Sequence, residues 1–83
     1  MSYKIAFKKS VGRDLKRIGK DQADRILKKI EEELPEKADS CPSLKGKFTG
    51  LKKFRVGDYR IVYSLVGDTI LILRISHRRE VYR

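Results

Sequence analysis

The sequence predicts an α+β domain with the order β-α-α-β-β-β, a two-helix hairpin packed on a mostly antiparallel four-stranded sheet. Three observations carry this. Apolar residues recur at helical spacing only between residues 10 and 34, whereas strand-like apolar runs occupy both ends of the chain. Val-Gly-Asp occurs twice, at 56–58 and 66–68, each time between two such runs. Gly-Asp between apolar runs signals a short hairpin turn, because glycine reaches the positive-φ conformations that such turns need.

The elements follow in order. Tyr3, Ile5 and Phe7 alternate with Lys4 and Lys8 as a first strand. Ser10 can cap a helix whose apolar face is Val11, Leu15 and Ile18 and which Gly19 ends. Asp21 can cap a second helix carrying Ala23, Ile26, Leu27, Ile30 and Leu34 on one stripe. The break between the helices is two or three residues, short enough to make them an antiparallel pair. Pro35 and Pro42 bracket the helix end and a loop that runs through SLKGKFTG to about Gly50. Strands are then expected over Leu51–Val56, Tyr59–Val66 and Thr69–Ser76.

Eighty-three residues are enough for one domain, 1–83, with one modest core. The single cysteine, Cys41, excludes an internal disulfide and fits a reducing, cytoplasmic setting. No Cys/His pairing calls for zinc, and no metal or cofactor is expected. The N-terminus lacks the apolar stretch of a signal peptide and no run reaches membrane-spanning length, so no membrane partner is expected.

Charge points to function. Lys and Arg total 21 against 11 acids, a net charge of +10. Residues 1–30 and 41–83 each hold ten basic and three acidic residues, whereas 31–40 hold five acids and one lysine. A domain so far from neutrality is suited to a polyanion, with nucleic acid the leading candidate. The Glu31–Glu33 run reads as a solvated helix face.

Strand parity sharpens the charge argument. With Gly57-Asp58 as a two-residue turn, Val56 faces Tyr59, Arg55 faces Arg60, Phe54 faces Ile61 and Lys53 faces Val62. Phe54, Val56, Tyr59, Ile61 and Tyr63 then share the core side, and Lys53, Arg55 and Arg60 share the other. Like charges opposed across strands repel. Such a face either takes phosphate, which arginine's planar fork binds through paired hydrogen bonds, or is neutralised by Glu80 or the acidic 31–39 stretch. The segment Thr69–Leu73 is apolar on both faces, so it should be central or covered. A continuous second hairpin would pair Arg60 with Ile75 and send Arg78 to the opposite face. A bulge, or termination near Ser76, is needed for Arg78 to join the cations.

KFRVGDYRIVY followed by ISHRREVY, after a β-α-α opening, resembles the RelE/ParE toxin superfamily over nearly the whole chain. The terminal HRREVY leans toward the RelE branch of ribosome-dependent messenger-RNA endonucleases. The resemblance implies a RelE-like fold and a type II toxin–antitoxin toxin that cleaves messenger RNA in the ribosomal A site and inhibits translation. By motif it implies catalytic roles for Lys53, Arg60, Arg78 and Tyr82, with Lys52, Arg55, His77, Arg79 and Arg83 contacting RNA. Two departures stand out: Leu51 replaces a second lysine, and the chain stops at Arg83, without the helix that often follows the tyrosine. His77 has neither a second histidine nor an Asp at triad spacing, and reads as a polar residue at a strand end rather than an acid or base.

RNA can be cut by its own 2′-hydroxyl, which requires removing that proton, stabilising a pentacoordinate phosphorus and protonating the leaving oxygen. Two arginines meet the second need, and Tyr82 or Lys53 can serve the first. The alternative is a ParE-type DNA gyrase inhibitor without nuclease activity, and a third possibility is an inactive nucleic-acid-binding relative. Every toxin reading requires a cognate, RelB-like antitoxin laid over exposed apolar surface and the cationic site. The doubly apolar last strand hints at that surface.

Overall fold

The computed structural model describes residues 3–40 and 50–77. Its elements are β1 (Lys4–Phe7), α1 (Lys9–Ile18), α2 (Lys20–Lys37), β2 (Lys52–Val56), β3 (Tyr59–Val66) and β4 (Thr69–His77). The strands lie in the order β1-β4-β3-β2, with β1 parallel to β4 and the other pairs antiparallel. The expected β-α-α-β-β-β order and two-helix, four-stranded architecture hold. Most of the loop expected up to Gly50, with Cys41, lies outside the described residues.

One face of the sheet meets the helices. Phe54 and Val56 of β2, Ile61 and Tyr63 of β3, and Ile70, Ile72 and Ile75 of β4 form a single cluster with Val11 of α1 and Ile26, Ile30 and Leu34 of α2. Leu15, Ile18, Tyr59 and Leu65 pack around it half-buried. Tyr63 is wholly buried because its phenol is satisfied there: Oη donates to the Ala38 carbonyl at 2.8 Å. The expected core roles of Tyr59 and Tyr63 follow from this packing.

Three local expectations are corrected, each by a tertiary contact. Ser10 is not a cap; it sits inside α1, which Lys8 precedes without a side-chain cap. Its Oγ instead donates to the Leu73 carbonyl at 2.9 Å, part of the β4 edge beyond the end of β1. Asp21 is in the first turn of α2 and not its cap, because a single residue, Gly19, joins the helices. Gly19 has φ 98°, and its N–H donates to the Leu15 carbonyl while its carbonyl accepts from Ala23. The positive φ lets one glycine close α1 and open α2. Pro35 does not end α2 but lies within it. The missing N–H forfeits one helical hydrogen bond, which the complete burial of Leu34 and Ala38 on either side offsets.

The acidic stretch is a solvated face, as expected, with its own partners. Glu33 takes Lys29 at 2.6 Å and Lys37 at 3.2 Å, one helical turn away on either side. These hydrogen bonds, that from Lys29 first, hold the Glu33 carboxyl below the usual range, and the same contact raises Lys29. Tyr3 Oη lies 2.8 Å from both Asp39 oxygens, and that hydrogen bond raises the phenol.

Candidate nucleic-acid interface

The β2–β3 hairpin sets the site. Gly57, the first central residue of its turn, has φ 57°, and no non-glycine residue has positive φ. That is the II′ pattern, whose twist matches the strands it joins. The register follows: Val56↔Tyr59, Arg55↔Arg60, Phe54↔Ile61, Lys53↔Val62 and Lys52↔Tyr63. Phe54, Val56, Ile61 and Tyr63 are buried against the helices, so Lys53, Arg55 and Arg60 take the opposite face.

The β3–β4 hairpin completes that face in an unexpected way. From its turn the register runs Val66↔Thr69 to Tyr63↔Ile72, then slips by one, so that Val62 faces Arg74 and Arg60 faces Ser76. Leu73 is the extra residue. Two rows then cross the sheet on the face away from the helices: Arg55–Arg60–Ser76 and Lys53–Val62–Arg74. The expected pairing of Arg60 with Ile75 is replaced by this bulge; Ile75 is thereby free to enter the core, where it is 1% exposed.

Helix α1 holds the bulge. β1 covers the outer edge of β4 only as far as Ile72. Beyond it, Ser10 serves the Leu73 carbonyl, and Asp14 Oδ2 accepts the Ile75 N–H at 3.0 Å. These two side chains lie one helical turn apart and replace the missing strand. Asp14 is a carboxylate only 3% exposed, which needs compensation. It receives that hydrogen bond, the Arg74 guanidinium at 3.5 Å and Arg17 at 3.9 Å.

Among the described residues, no carboxylate pairs with Lys53, Arg55 or Arg60. The acids of the 31–39 stretch pair elsewhere, Glu33 with lysines of its own helix and Asp39 with Tyr3. Glu80 lies outside the described residues, as do the expected site residues Arg78, Arg79, Tyr82 and Arg83. Two other expected RNA contacts do not join the cationic face. Lys52 is paired with Tyr63, on the helix side, and donates to the Asp39 carbonyl at 3.3 Å. His77 is paired with Tyr59, also on the helix side, and meets its ring edge to face at 5.2 Å.

Reading the sequence missed Arg74 and Asp14. A signal was present for Arg74: strict alternation from Ile70 and Ile72 sends Arg74 into the core and Ile75 to water. A buried arginine beside an exposed isoleucine marks a bulge. Asp14 has no such signal, since its partners are backbone and side-chain groups 60 residues away in the chain.

The fold and motifs have known counterparts. The family model for the ParE toxin of the type II toxin-antitoxin system parDE matches residues 5–82. The chain belongs to the RelE/ParE toxin superfamily. It is 34% identical to Toxin RelE3 of Methanocaldococcus jannaschii, over 95% of this chain and 94% of that one. Among solved structures, the archaeal RelE–RelB complex of Pyrococcus horikoshii includes a chain 31% identical, with TM-score 0.66 over 94% of this chain and 97% of that one. The toxin–antitoxin complex RelBE2 of Mycobacterium tuberculosis gives a TM-score of 0.85 at 23% identity, over 94% and 100% of the two chains, a likeness of fold. The chain is thus a toxin of the type II toxin–antitoxin class. No helix among the described residues is long and apolar enough to cross a membrane.

Proposed function

We propose that this chain is an endoribonuclease that cuts messenger RNA in the ribosomal A site and so arrests translation in the cytoplasm. The observation that carries the reading is the two-row cationic face, on which Lys53, Arg55 and Arg60 have no carboxylate partner among the described residues. An RNA phosphate relieves the repulsion between Arg55 and Arg60 and is held by their planar forks. In the reaction the 2′-oxygen attacks the adjacent phosphorus and the P–O5′ bond breaks, leaving a 2′,3′-cyclic phosphate and a 5′-hydroxyl. Arg60, with Arg78, stabilises the charge that builds on the phosphorus. Each such contact is worth about 10²–10³ in rate. Lys53 or Tyr82 takes the 2′ proton, and a second protonated group supplies the leaving oxygen. The bulge favours Arg78's participation: Ser76, two positions earlier, shares the face of Arg60.

We infer a RelB-like antitoxin as partner, since the relatives from M. tuberculosis and P. horikoshii were each solved in complex with one. Leu71 and Ala6, paired neighbours left half-buried on the face away from the helices, offer it apolar surface.

The test is brief expression of wild type and of an Arg60→Ala/Arg78→Ala variant, followed by mapping of messenger ends on translating ribosomes. Codon-phased cuts that vanish in the variant are expected. Intact messengers with accumulating gyrase–DNA breaks would instead establish the gyrase-poisoning alternative, which the name of the matching family model keeps in view.

A further inference from the structure

A pocket of about 370 Å³ opens at the tip of the β2–β3 hairpin, on the side of the sheet opposite the cations. Gln22, Arg25 and Ile26 of α2 form one wall, the turn from Val56 to Tyr59 another, and His77 of β4 closes it. The volume lies at the lower end of the range for small-molecule sites, roughly 300–1,000 Å³, which fits a nucleoside better than a peptide. Its floor is apolar, from Ile26 and Val56. Tyr59 and His77 both line it half-buried, and an edge-to-face pair leaves ring surface on which a planar base can stack.

The polar groups narrow the choice of base. Arg25 brings guanidinium donors, Asp58 a carboxylate acceptor, and Gln22 one of each. Guanine offers adjacent N1–H and N2–H donors to a carboxylate and presents O6 and N7 to an arginine fork. Adenine lacks the adjacent donor pair, and the pyrimidines lack the O6/N7 edge.

Position links the pocket to the cationic face. Val56 and Tyr59 line the pocket, and their chain neighbours Arg55 and Arg60 alternate to the other face. Between them lies Gly57, exposed and with open space where a side chain would stand. A strand with its phosphate on Arg55 and Arg60 can pass over this bare tip and lower an adjoining base into the pocket.

We propose that this pocket reads a guanine next to the phosphate held on the cationic face, an inference that rests on the nuclease reading for its biological use. Arg25 and Asp58 select the base, Gln22 assists, and Tyr59 with His77 stacks on it.

The decisive experiment titrates the full chain with GMP, AMP, CMP and UMP, following backbone and aromatic signals by NMR. GMP is expected to bind at least about tenfold more tightly than AMP, the worth of one bidentate base contact, and to shift Arg25, Tyr59 and His77. Asp58→Asn and Arg25→Ala remove the preference, whereas Asp68→Asn, at the matching position of the second Val-Gly-Asp turn, keeps it. Asparagine suits the same turn, so Asp58→Asn retains the fold. Equal binding of all four nucleotides, or shifts confined to Lys53, Arg55 and Arg60, overturns the proposal. Cut maps provide the second arm: Asp58→Asn is expected to lose guanine enrichment at one fixed position beside the cut while cutting continues. Unchanged enrichment overturns the pocket; absence of cutting by wild type overturns the nuclease reading and leaves the nucleotide titration to decide the pocket.

Discussion

The same tripeptide, Val-Gly-Asp, opens two hairpins that end differently. Gly57 at φ 57° and Gly67 at φ 61° make similar turns. From the first, the register is unbroken over all five pairs of β2 with β3. From the second, it slips after four pairs, at Tyr63 and Ile72. The turn fixes register only near itself. Farther along, the second hairpin obeys α1, whose Ser10 and Asp14 bond the irregular backbone at Leu73 and Ile75. A one-residue slip exchanges faces, so a helix on one side of the sheet determines which cations stand on the other.

The comparison can be broken at several points. The largest effect is expected in the first hairpin: Arg60→Ala should leave the fold intact and reduce messenger cutting by about 10²–10³, read from the fraction of cleaved ends. Next is the clamp of the second hairpin. Asp14→Ala removes the acceptor of the buried Ile75 N–H and the partner of Arg74, at a cost of about 1–3 kcal/mol in urea unfolding. Asp14→Asn keeps an oxygen for the N–H and should recover part of that. A smaller loss, about 0.5–1.5 kcal/mol, is expected for Ser10→Ala, with cross-strand NOEs between Arg60 and Ser76 weakening toward an Arg60–Ile75 pattern. If both clamp variants keep full stability and the Ser76 contact, the turn alone sets the register.

The smallest effect lies far from both hairpins, on α2. Glu33 is held below the usual carboxylate range by Lys29 and Lys37. A depressed carboxyl stabilises the fold above its unfolded-state pKa, and that contribution is lost as pH falls through the folded value. The group is exposed, so its share of stability is minor. A carbon-detected titration should place Glu33 lower than Glu31 or Glu32, and Lys29→Ala should move it back up.

The contrast between the hairpins also separates what was legible in the sequence from what was not. Phe54 and Ile61 fixed the phase of β2 and β3, because an apolar residue facing water on alternate positions is costly and the turn is short. That alone located Lys53, Arg55 and Arg60. Ser10, Asp21 and Pro35 misled because each has a strong local preference, for cap, cap and stop, that distant contacts overrode. Ser10 found the Leu73 carbonyl, the single Gly19 joint left Asp21 no room to cap, and Leu34 with Ala38 carried the helix through Pro35. Arg74 was half-legible through the broken alternation of Ile70, Ile72 and Ile75. Asp14 was illegible, since nothing local distinguishes a carboxylate that will accept a strand N–H from one that will face water.

The central claim is that the face of the sheet, and not the overall positive charge, carries the chemistry. Lys52 and Lys53 are adjacent, alike in charge, and on opposite sides of β2. Messenger-end maps of Lys52→Ala and Lys53→Ala, expressed at matched levels, test the claim most directly. The account predicts near-normal codon-phased cutting for Lys52→Ala and a loss of at least about tenfold for Lys53→Ala. Equal losses in the two variants, or a greater loss for Lys52→Ala, would contradict it.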